Sequence, residues 1–408
     1  MNEATIHNGL EGIVAAETSL SMVEGTAGEL VIAGFPVAEL AMNATFEETA
    51  HLLWYGALPD EQELAAFRSD LARRRELPSV AYELLREATH EKVDGMDALR
   101  MAAGTISLKP KSTDRSVCAT SSSDTATPGA SHREQCGTDT PVCAADDESA
   151  RNLLAAFPTI VASYWRFFNN QTPIPPRADL GHAANYLYML SGEIPSDERV
   201  RGLETYLNTV VDHGLNASTF TARVIASTNS DLVSAITGAI GALKGPLHGG
   251  APGPALDMVF EIGDAARAEE VLRRKIESGE KLMGFGHRVY KVRDPRADVL
   301  AAAAERMFTR GGDMALYQLA RAVEAEALRL LEEYKPGRKL QTNVEFYTAL
   351  LLRGLGLEVP LFTPTFAISR VAGWIAHCFE QRRANRLIRP QSVYRGARGL
   401  RWSSKTLS

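Results

Sequence analysis

The chain has 408 residues, of which 45% are apolar and 23% charged, a composition typical of a water-soluble globular protein with two domains or one very large one. A net charge of −6 supplies no basic field, so we expect no nucleic-acid partner. No apolar run reaches the length of a membrane helix, and the polar first residues lack the apolar core of a signal peptide, which predicts a cytoplasmic protein without membrane association.

Helical periodicity dominates the chain and predicts an all-α fold. Near the start, "GELVIAGFPVAEL" is the nearest approach to a period-2 run in the chain, and we expect Gly28–Pro36 to form a short hairpin or strand. Ser230 is the expected N-cap of one apolar helix, which Gly245 and Pro246 end. The clearest helical segments are Thr45–Leu58, Glu61–Arg75, Ser230–Leu243, Asp298–Phe308, Leu316–Tyr334 and Thr365–Arg383.

One segment breaks this pattern. From Lys109 to Asn152 the chain contains no Leu, Ile, Phe, Met, Tyr or Trp, and such a stretch cannot bury enough apolar surface to offset its ordering entropy. We expect residues 109–152 to form a disordered surface insert. Three of the four cysteines lie here without a C-x-x-C pair, so neither a zinc site nor a disulfide framework is expected.

Three of the nine histidines lie beside glycine at the end of an apolar segment. They are His213 in "VVDHGLNASTF", His248 in "GALKGPLHGGAPGP" and His287 in "LMGFGHRVYKVRDPRA". Each one alone fits a helix C-terminal histidine favoured by the macrodipole. The three together favour a ligand site, because glycine lets a ligand approach the backbone closely. No H-x-x-x-H or H-E-x-x-H spacing supports a metal triad, so no metal is expected.

Arginines indicate the charge of the ligand. Arg370 lies on an apolar helical face with Phe366 and Trp374 four residues away on either side, and a guanidinium there needs an anion. The alternative is an arginine that lays its stem over the aromatic rings and reaches water. Arg296 and Arg389 lie in loop contexts, and several arginines with three histidines suit a small polycarboxylate.

Glu345 in "QTNVEFYTALLL" is the candidate base. Asn343 is the expected N-cap, which places Glu345 in the first helical turn. The helix dipole stabilises an anion there for purely structural reasons, so the pattern alone leaves both roles open.

Six blocks together resemble the citrate synthase family, in the order that the family shows: "DHGLNASTFTA", "GALKGPLHGGAP", "MGFGHRVYKVRDPRADVL", "NVEFYTALLLRGLGL", "FTPTFAISRVAGWIAHCFEQ" and "NRLIRP". The resemblance runs from Gly9 to Arg389, apart from the insert. It implies a homodimer of all-α subunits with the active site in a cleft between a large domain, residues 1–249 and 357–408, and a small domain, residues 250–356. Oxaloacetate and an acyl-CoA are the implied ligands.

The resemblance also implies a role for each matching residue. His248 matches the histidine that hydrogen-bonds the acetyl carbonyl while the enol forms, His287 the one that polarises the keto group of oxaloacetate, and Glu345 the base. The residues implied to bind the carboxylates of oxaloacetate are His213, Arg296, Arg370 and, across the interface from the other subunit, Arg389. The residues implied to contact CoA are Gly284, Phe285 and Gly286.

The implied reaction joins acetyl-CoA to oxaloacetate, and water then hydrolyses citryl-CoA to citrate and CoA. No cofactor is expected, because the CoA thioester is a substrate. The chain departs from the family in having glutamate rather than aspartate at Glu345, in the insert, and in the tail "YRGARGLRWSSKTLS". Two alternatives stay open: a 2-methylcitrate synthase that uses propionyl-CoA, since one methylene is worth only about 1–3 kcal/mol, and a non-catalytic ligand-binding homologue.

Overall fold

The computed structural model describes residues 6–10, 12–109, 144–249, 252–287, 289–310, 314–384, 386–400 and 402. Within these ranges the fold is all-α with one small sheet, as predicted. The strands are β1 Ser21–Glu24, β2 Glu29–Ile32 and β3 Phe35–Pro36. The helices are α1 Val37–Asn43, α2 Phe46–Tyr55, α3 Glu61–Arg73, α4 Ser79–His90, α5 Gly95–Gly104, α6 Ala144–Phe168, α7 His182–Ser191, α8 Asp197–Val210, α9 Ala217–Ala226, α10 Leu232–Leu243, α11 Pro252–Ile262, α12 Ala268–Glu277, α13 Pro295–Thr309, α14 Met314–Tyr334, α15 Val344–Gly354 and α16 Phe362–Ala384. Short 3₁₀ turns cover Asn8–Leu10, Thr105–Leu108, Ala265–Arg267 and Val359–Leu361.

Local capping explains where the predicted helices begin. Thr45 and Glu48 form a reciprocal capping box at the start of α2, in which each side chain satisfies the other's backbone N–H. The cap expected at Ser230 is wrong by one residue, because the Asp231 carboxylate accepts the Ser234 N–H at 2.9 Å. An aspartate at this position also places negative charge at the positive end of the helix dipole.

The predicted hairpin at Gly28–Pro36 is present as β2 and β3, which pair antiparallel. Sequence reasoning missed β1, which pairs antiparallel with β2 from Ser21 opposite Ile32 to Glu24 opposite Glu29. Alternation is weak in β1, where half-buried and exposed residues alternate without a fully buried one. This three-stranded sheet lies next to two of the histidine loops described below.

The predicted border of the insert is wrong at its C-terminal end. Residues 144–152 belong to α6, and Ala150 is fully buried there. The polar residues that suggested disorder are used in ion pairs, since Arg151 contacts both Asp147 on its own helix and Asp70 on α3. The remainder of the prediction, residues 110–143 with their three cysteines, lies outside the described residues. The fourth, Cys378, is a free and buried thiol.

The long helix α16 lies at the centre of the core and packs against α2, α6, α8, α9 and α10. Trp374 and Ile375 on α16 are fully buried, and burial of a large apolar side chain stabilises the fold by roughly 1.5–3 kcal/mol. The same helix carries Arg370, so the core fixes the position of that guanidinium. Pairing of α13 with α15 and α8 similarly places the starts of α13 and α15, which carry Arg296 and Glu345.

Among the described residues, no single helix combines the length and apolarity that a membrane crossing requires, although α15 and α16 would together pass that test across a 117° bend. The division into a large domain, 1–249 and 357–408, and a small domain, 250–356, stays a prediction.

Candidate active site

A cavity of about 960 Å³ lies where the loop before α9, the loop after α10, the loop before α13 and the first turns of α15 and α16 meet. Residues of the N-terminal segment between Gly9 and Ala15 form part of its wall. The volume is in the range of small-molecule sites. Six of the residues predicted from the sequence line it: His213, His248, His287, Arg296, Glu345 and Arg370.

Arg370 is a buried cation in the wall of this cavity. It is 2% exposed, so it does not reach bulk water over the aromatic rings, and its Cζ lies 4.6 Å from the centroid of the Phe366 ring. Its Nε donates to the Val210 carbonyl at 2.8 Å. Burial lowers the pKa of Arg370 to about 10, although Asp212 acts in the opposite direction. The side chain therefore stays charged at neutral pH and attracts an anion into the cavity.

Arg296 is held rigidly by its neighbour in sequence. Its Nε and Nη2 donate to the two carboxylate oxygens of Asp294, at 3.1 and 2.9 Å. Asp294 is also the N-cap of α13, where it accepts the Arg296 N–H at 3.0 Å. This bidentate geometry fixes the guanidinium plane, and a fixed plane is what carboxylate recognition requires.

His287 is neutral, and its surroundings define which nitrogen carries the proton. Its Nδ1 accepts the backbone N–H groups of Val289 and Tyr290, both at 3.0 Å, so we assign the proton to Nε2. The second N–H of Arg296 Nη2 faces Nε2 at 3.3 Å, but this single longer contact opposes the assignment less than the two shorter backbone donors support it. Burial and the charge of Arg296 lower the pKa of His287 to about 4. A neutral ring with an Nε2–H can donate a hydrogen bond to a substrate oxygen.

His213 lies beside His287, with their ring centroids 5.9 Å apart. Its Nε2 is 3.1 Å from the Tyr290 hydroxyl, and Tyr290 also packs on the His287 ring at 4.8 Å. Burial lowers the pKa of His213 well below its usual range, and the charges of Arg296 and Arg370 lower it further. The two imidazoles and two arginines thus form a positive pocket in which the arginines carry the charge.

His248 is positioned by Ser218 at the start of α9. The Ser218 N–H, which can only donate, points at His248 Nε2 at 3.3 Å, and the Ser218 hydroxyl lies 2.7 Å from the same nitrogen. Nε2 is therefore an acceptor, and the proton is on Nδ1. Burial, with the charge of Arg370, lowers the pKa of His248 to about 4. This ring too is a neutral donor at pH 7.

Glu345 lies in the first turn of α15, and Asn343 is its N-cap as predicted, accepting the Glu345 N–H at 2.9 Å. Burial in the cavity raises the pKa of Glu345, while Arg296 lowers it and Asp294 raises it. An acid that served only the helix dipole would gain nothing from this burial. A carboxylate with a raised pKa is a stronger base than an exposed one.

The other predicted site residues lie outside the cavity lining. Arg389 is exposed on the segment that follows α16. Gly284, Phe285 and Gly286 form the loop that pairs with the approach to α15, through a bridge between Phe285 and Thr342. Gly284 has a φ of 88°, and a Cβ there would lie 2.9 Å from the Cβ of Phe346, so this close packing requires glycine. The implied contacts of these four residues with a partner subunit or with CoA stay predictions.

Sequence reasoning missed Ser218, Tyr290 and Asp294. Asp294 did have a local signal, because an aspartate directly before proline is a helix N-cap followed by proline at the first helical position. Ser218 and Tyr290 act on histidines that are 30 and 77 residues away in the chain. No periodicity or spacing rule reports such contacts.

A group of side chains that could bind a metal ion lies away from the cavity. Among the described residues, one group of side chains, Glu87, His90 and Glu91, brings potential ligand atoms within reach of a single ion. It is exposed at the end of α4 and is not part of the cavity lining.

The fold and the cavity define an all-α protein whose cleft brings two arginines, three neutral histidines and one carboxylate to the same space, a set that suits an enzyme acting on a small anion. The chain belongs to the citrate synthase family, since the family model described as "Citrate synthase, C-terminal domain" matches residues 9–391.

Individual proteins that are similar to this chain are named as citrate synthases or 2-methylcitrate synthases. A citrate synthase from Haloferax volcanii is 40% identical over 97% of both chains, and citrate synthase 2 from Bacillus subtilis is 40% identical over 96% of both. A 2-methylcitrate synthase from Shewanella oneidensis is 38% identical over 95% of this chain and 94% of its own. Among solved structures, the ternary complex of Thermoplasma acidophilum citrate synthase with carboxymethyl coenzyme A and oxaloacetate superimposes with a TM-score of 0.81, at 29% identity over 98% of both chains.

Proposed function

We propose that the protein condenses acetyl-CoA with oxaloacetate to citryl-CoA and hydrolyses this thioester to citrate and CoA. The observation that carries the proposal is the meeting of six residues from five separate sequence blocks on one cavity, in the chemical states that the reaction needs. The family membership, and the oxaloacetate in the complex of the similar Thermoplasma enzyme, support the same substrate.

Binding of oxaloacetate uses the positive pocket. Arg296 and Arg370 pair with its carboxylates, and His213 adds a hydrogen bond. The guanidinium of Arg296 is already oriented by Asp294, so little orientation entropy is lost when the substrate binds. Neutral His287 then donates its Nε2–H to the keto oxygen and polarises the carbon that is to be attacked.

Enol formation uses Glu345 and His248 together. Glu345 removes a proton from the methyl group of the thioester, and the Nδ1–H of His248 donates to the carbonyl oxygen on which charge develops. A thioester methyl is a weak carbon acid, so this stabilisation must act at the moment of proton transfer. A neutral imidazole suits the task because its own pKa, lowered to about 4, keeps it uncharged before the reaction.

Condensation follows when the enol carbon forms a bond to the keto carbon. The keto oxygen takes up the proton that His287 presents, and the proton that Glu345 took from the methyl group returns through solvent to make His287 neutral again. The enol oxygen gives its proton back to Nδ1 of His248 and becomes the thioester carbonyl. Water then attacks that carbonyl, the C–S bond breaks, and CoA leaves as a thiol. These steps use only imidazole, carboxylate and guanidinium groups, so the proposal includes no metal or redox cofactor, and the CoA thioester is a substrate.

Propionyl-CoA is the second candidate acyl donor. A 2-methylcitrate synthase is 38% identical to this chain and a citrate synthase 40% identical, so sequence identity supports both donors almost equally. The third possibility, a non-catalytic homologue, loses support because the candidate base is half-buried in the lining of the same cavity as the histidines and arginines, where burial raises its pKa. We further propose a cytoplasmic homodimer in which Arg389 of each subunit completes the site of the other. Its exposed position on the chain is compatible with that role.

An assay of CoA thiol release tests both the proposed activity and the choice of acyl donor. Purified protein is mixed with oxaloacetate and either acetyl-CoA or propionyl-CoA, and free thiol is followed with a chromogenic disulfide. We expect oxaloacetate-dependent release with a larger kcat/KM for acetyl-CoA, and near-complete loss in His248→Ala. A larger kcat/KM for propionyl-CoA would identify the alternative, and no release with either donor would contradict the proposal.

A further inference from the structure

The first strand of the sheet and the turn after it contact two of the three histidine loops of the cavity, although they contribute no residue to the cavity lining. We propose that β1 and the turn after it act as a spacer that sets the distance between His213 and His287, with Ser21 and Gly25 as positioning residues. The inference rests on the proposed function, because it assigns both histidines to the same substrate, oxaloacetate.

Ser21 fixes the loop that carries His213. Its hydroxyl donates to Asp212 Oδ2 at 2.5 Å and accepts the Gly214 N–H at 2.9 Å, so one side chain ties down both neighbours of His213. Asp212 is itself fully buried, and its other oxygen lies 3.1 Å from Nε2 of His377 on α16. The backbone around His213 is therefore held between β1 and the core helix.

Gly25 fixes the loop that carries His287. Its carbonyl accepts the Lys291 N–H at 2.9 Å. A Cβ on Gly25 would lie 2.4 Å from the Val289 carbonyl oxygen, so the two backbones touch and only glycine fits. The Val289 N–H is one of the two donors that hold His287 Nδ1. The turn after β1 thus supports the same backbone that determines the tautomer of His287.

The strand between these two anchors is stiff. Ser21 and Gly25 are separated by four residues of extended chain, roughly 13 Å at about 3.3 Å per residue. Pairing with β2 along the whole of β1 prevents this length from changing. The two histidines lie on loops more than 70 residues apart in sequence, whereas β1 contacts both loops through one short rigid element.

Substitution of Gly25 by alanine tests the spacer. An ordinary contact begins near 3.4 Å, so the new Cβ must displace the Val289 carbonyl by about 1 Å. A displacement of about 1 Å at a reacting group can cost on the order of 100-fold. We expect kcat/KM for oxaloacetate to fall by roughly this factor in Gly25→Ala, mainly through KM, while KM for the acyl-CoA changes less than about twofold.

A second readout is specific to His287. Displacement of Val289 moves one of the two N–H donors to His287 Nδ1, whereas burial and the charge of Arg296, which lower the pKa of His287 to about 4, stay in place. The groups that face this ring are Arg296, Asp294, Lys291, His213 and Tyr290, and none of them is altered. Neutral His287 is the proposed donor, so the loss of kcat/KM for oxaloacetate in Gly25→Ala should be the same across neutral pH, as expected for a ring that is displaced and not protonated.

Matched variants separate positioning from folding. Gly104→Ala at the end of α5 makes the same substitution where a Cβ would meet nothing within 4 Å, and it should match the wild type in KM and pH profile. Ser21→Ala adds no volume but frees both neighbours of His213, and it should also raise KM for oxaloacetate. Its control is Ser191→Ala on α7, which likewise removes a hydroxyl that accepts one backbone N–H and donates to backbone carbonyl oxygens.

The outcomes distinguish this inference from the proposed function. An active wild type with unchanged oxaloacetate KM in both Gly25→Ala and Ser21→Ala would overturn the spacer alone. A loss of stability accompanied by equal increases in KM for oxaloacetate and for the acyl-CoA would also overturn it, because this result would show that the strand has a purely structural role. Wild-type protein that releases no thiol would overturn the proposed function and the spacer with it.

Discussion

Ser218 determines how His248 presents its proton. Its replacement by alanine should lower both kcat and the free energy of unfolding, through two different contacts. The Ser218 hydroxyl lies 2.7 Å from His248 Nε2 and accepts the Trp374 indole N–H at 3.1 Å. Alanine removes both of these contacts, together with the 2.8 Å contact of the hydroxyl with Asn216 Oδ1, but leaves the Ser218 backbone N–H at 3.3 Å from Nε2. The ring therefore keeps its tautomer and loses only part of its support.

The expected magnitudes follow from these contacts. Loss of one net hydrogen bond of about 1–2 kcal/mol at His248 corresponds to roughly a 5- to 30-fold fall in kcat. The buried Trp374 N–H loses its acceptor, which costs about 1–3 kcal/mol of unfolding free energy. KM for oxaloacetate should stay unchanged, since the proposed partner of His248 is the acyl thioester.

Steady-state thiol release and chemical denaturation measure the two effects on the same preparation of Ser218→Ala. Ser191→Ala serves again as the control for loss of a serine hydroxyl away from the cavity, and it should retain the wild-type kcat. A Ser218→Ala protein that loses stability but retains full kcat would refute the reasoning, because it would show that the hydroxyl supports Trp374 and not the catalytic ring.

Three further predictions concern the remaining site residues. Glu345→Gln should abolish exchange of the acyl methyl protons with solvent, measured by NMR, because an amide cannot accept the proton, whereas Glu345→Asp should stay active; an exchanging glutamine variant would return Glu345 to a helix-dipole role. Because burial raises the pKa of Glu345, the acid limb of the kcat profile should lie above pH 4.5 and activity should fall as pH drops through it; a limb below pH 4.5 would argue against Glu345 as the base. Mixed Arg389→Ala and His287→Ala dimers should regain activity after verified subunit exchange, measured by thiol release, and no recovery would place Arg389 outside the partner's site.

Local signals in the sequence predicted local structure well. The cap at Asn343, the helices of Thr45–Leu58 and Ser230–Leu243 and the hairpin near Gly28 depend on neighbouring residues, and the structure contains each of them within a few residues. The gathering of three histidines and two arginines on one cavity followed from the family resemblance, since residues from separate helices approach one another only through tertiary packing.

Composition misled at the end of the insert. The stretch before Asn152 has no large apolar residue, yet it forms the first turns of α6 because its acids lie at the positive end of the helix and pair with arginines. Ala150 supplies the buried contact that larger residues usually make. Burial by a small residue and by ion pairs leaves little trace in a count of apolar side chains.

The buried Arg370 has a consequence for the lifetime of the protein. Its guanidinium lies in the core near the positive charge of Arg296, and the two charges repel each other. An anion in the cavity attracts both guanidinium groups and therefore stabilises the folded state. Oxaloacetate bound as proposed adds negative charge to that of Asp212 and Asp294, and a ligand at 100 times its Kd stabilises a protein by about 2.7 kcal/mol. Metabolite supply would thereby set resistance to heat and to proteases, and molecules caught without substrate would be the first to be degraded.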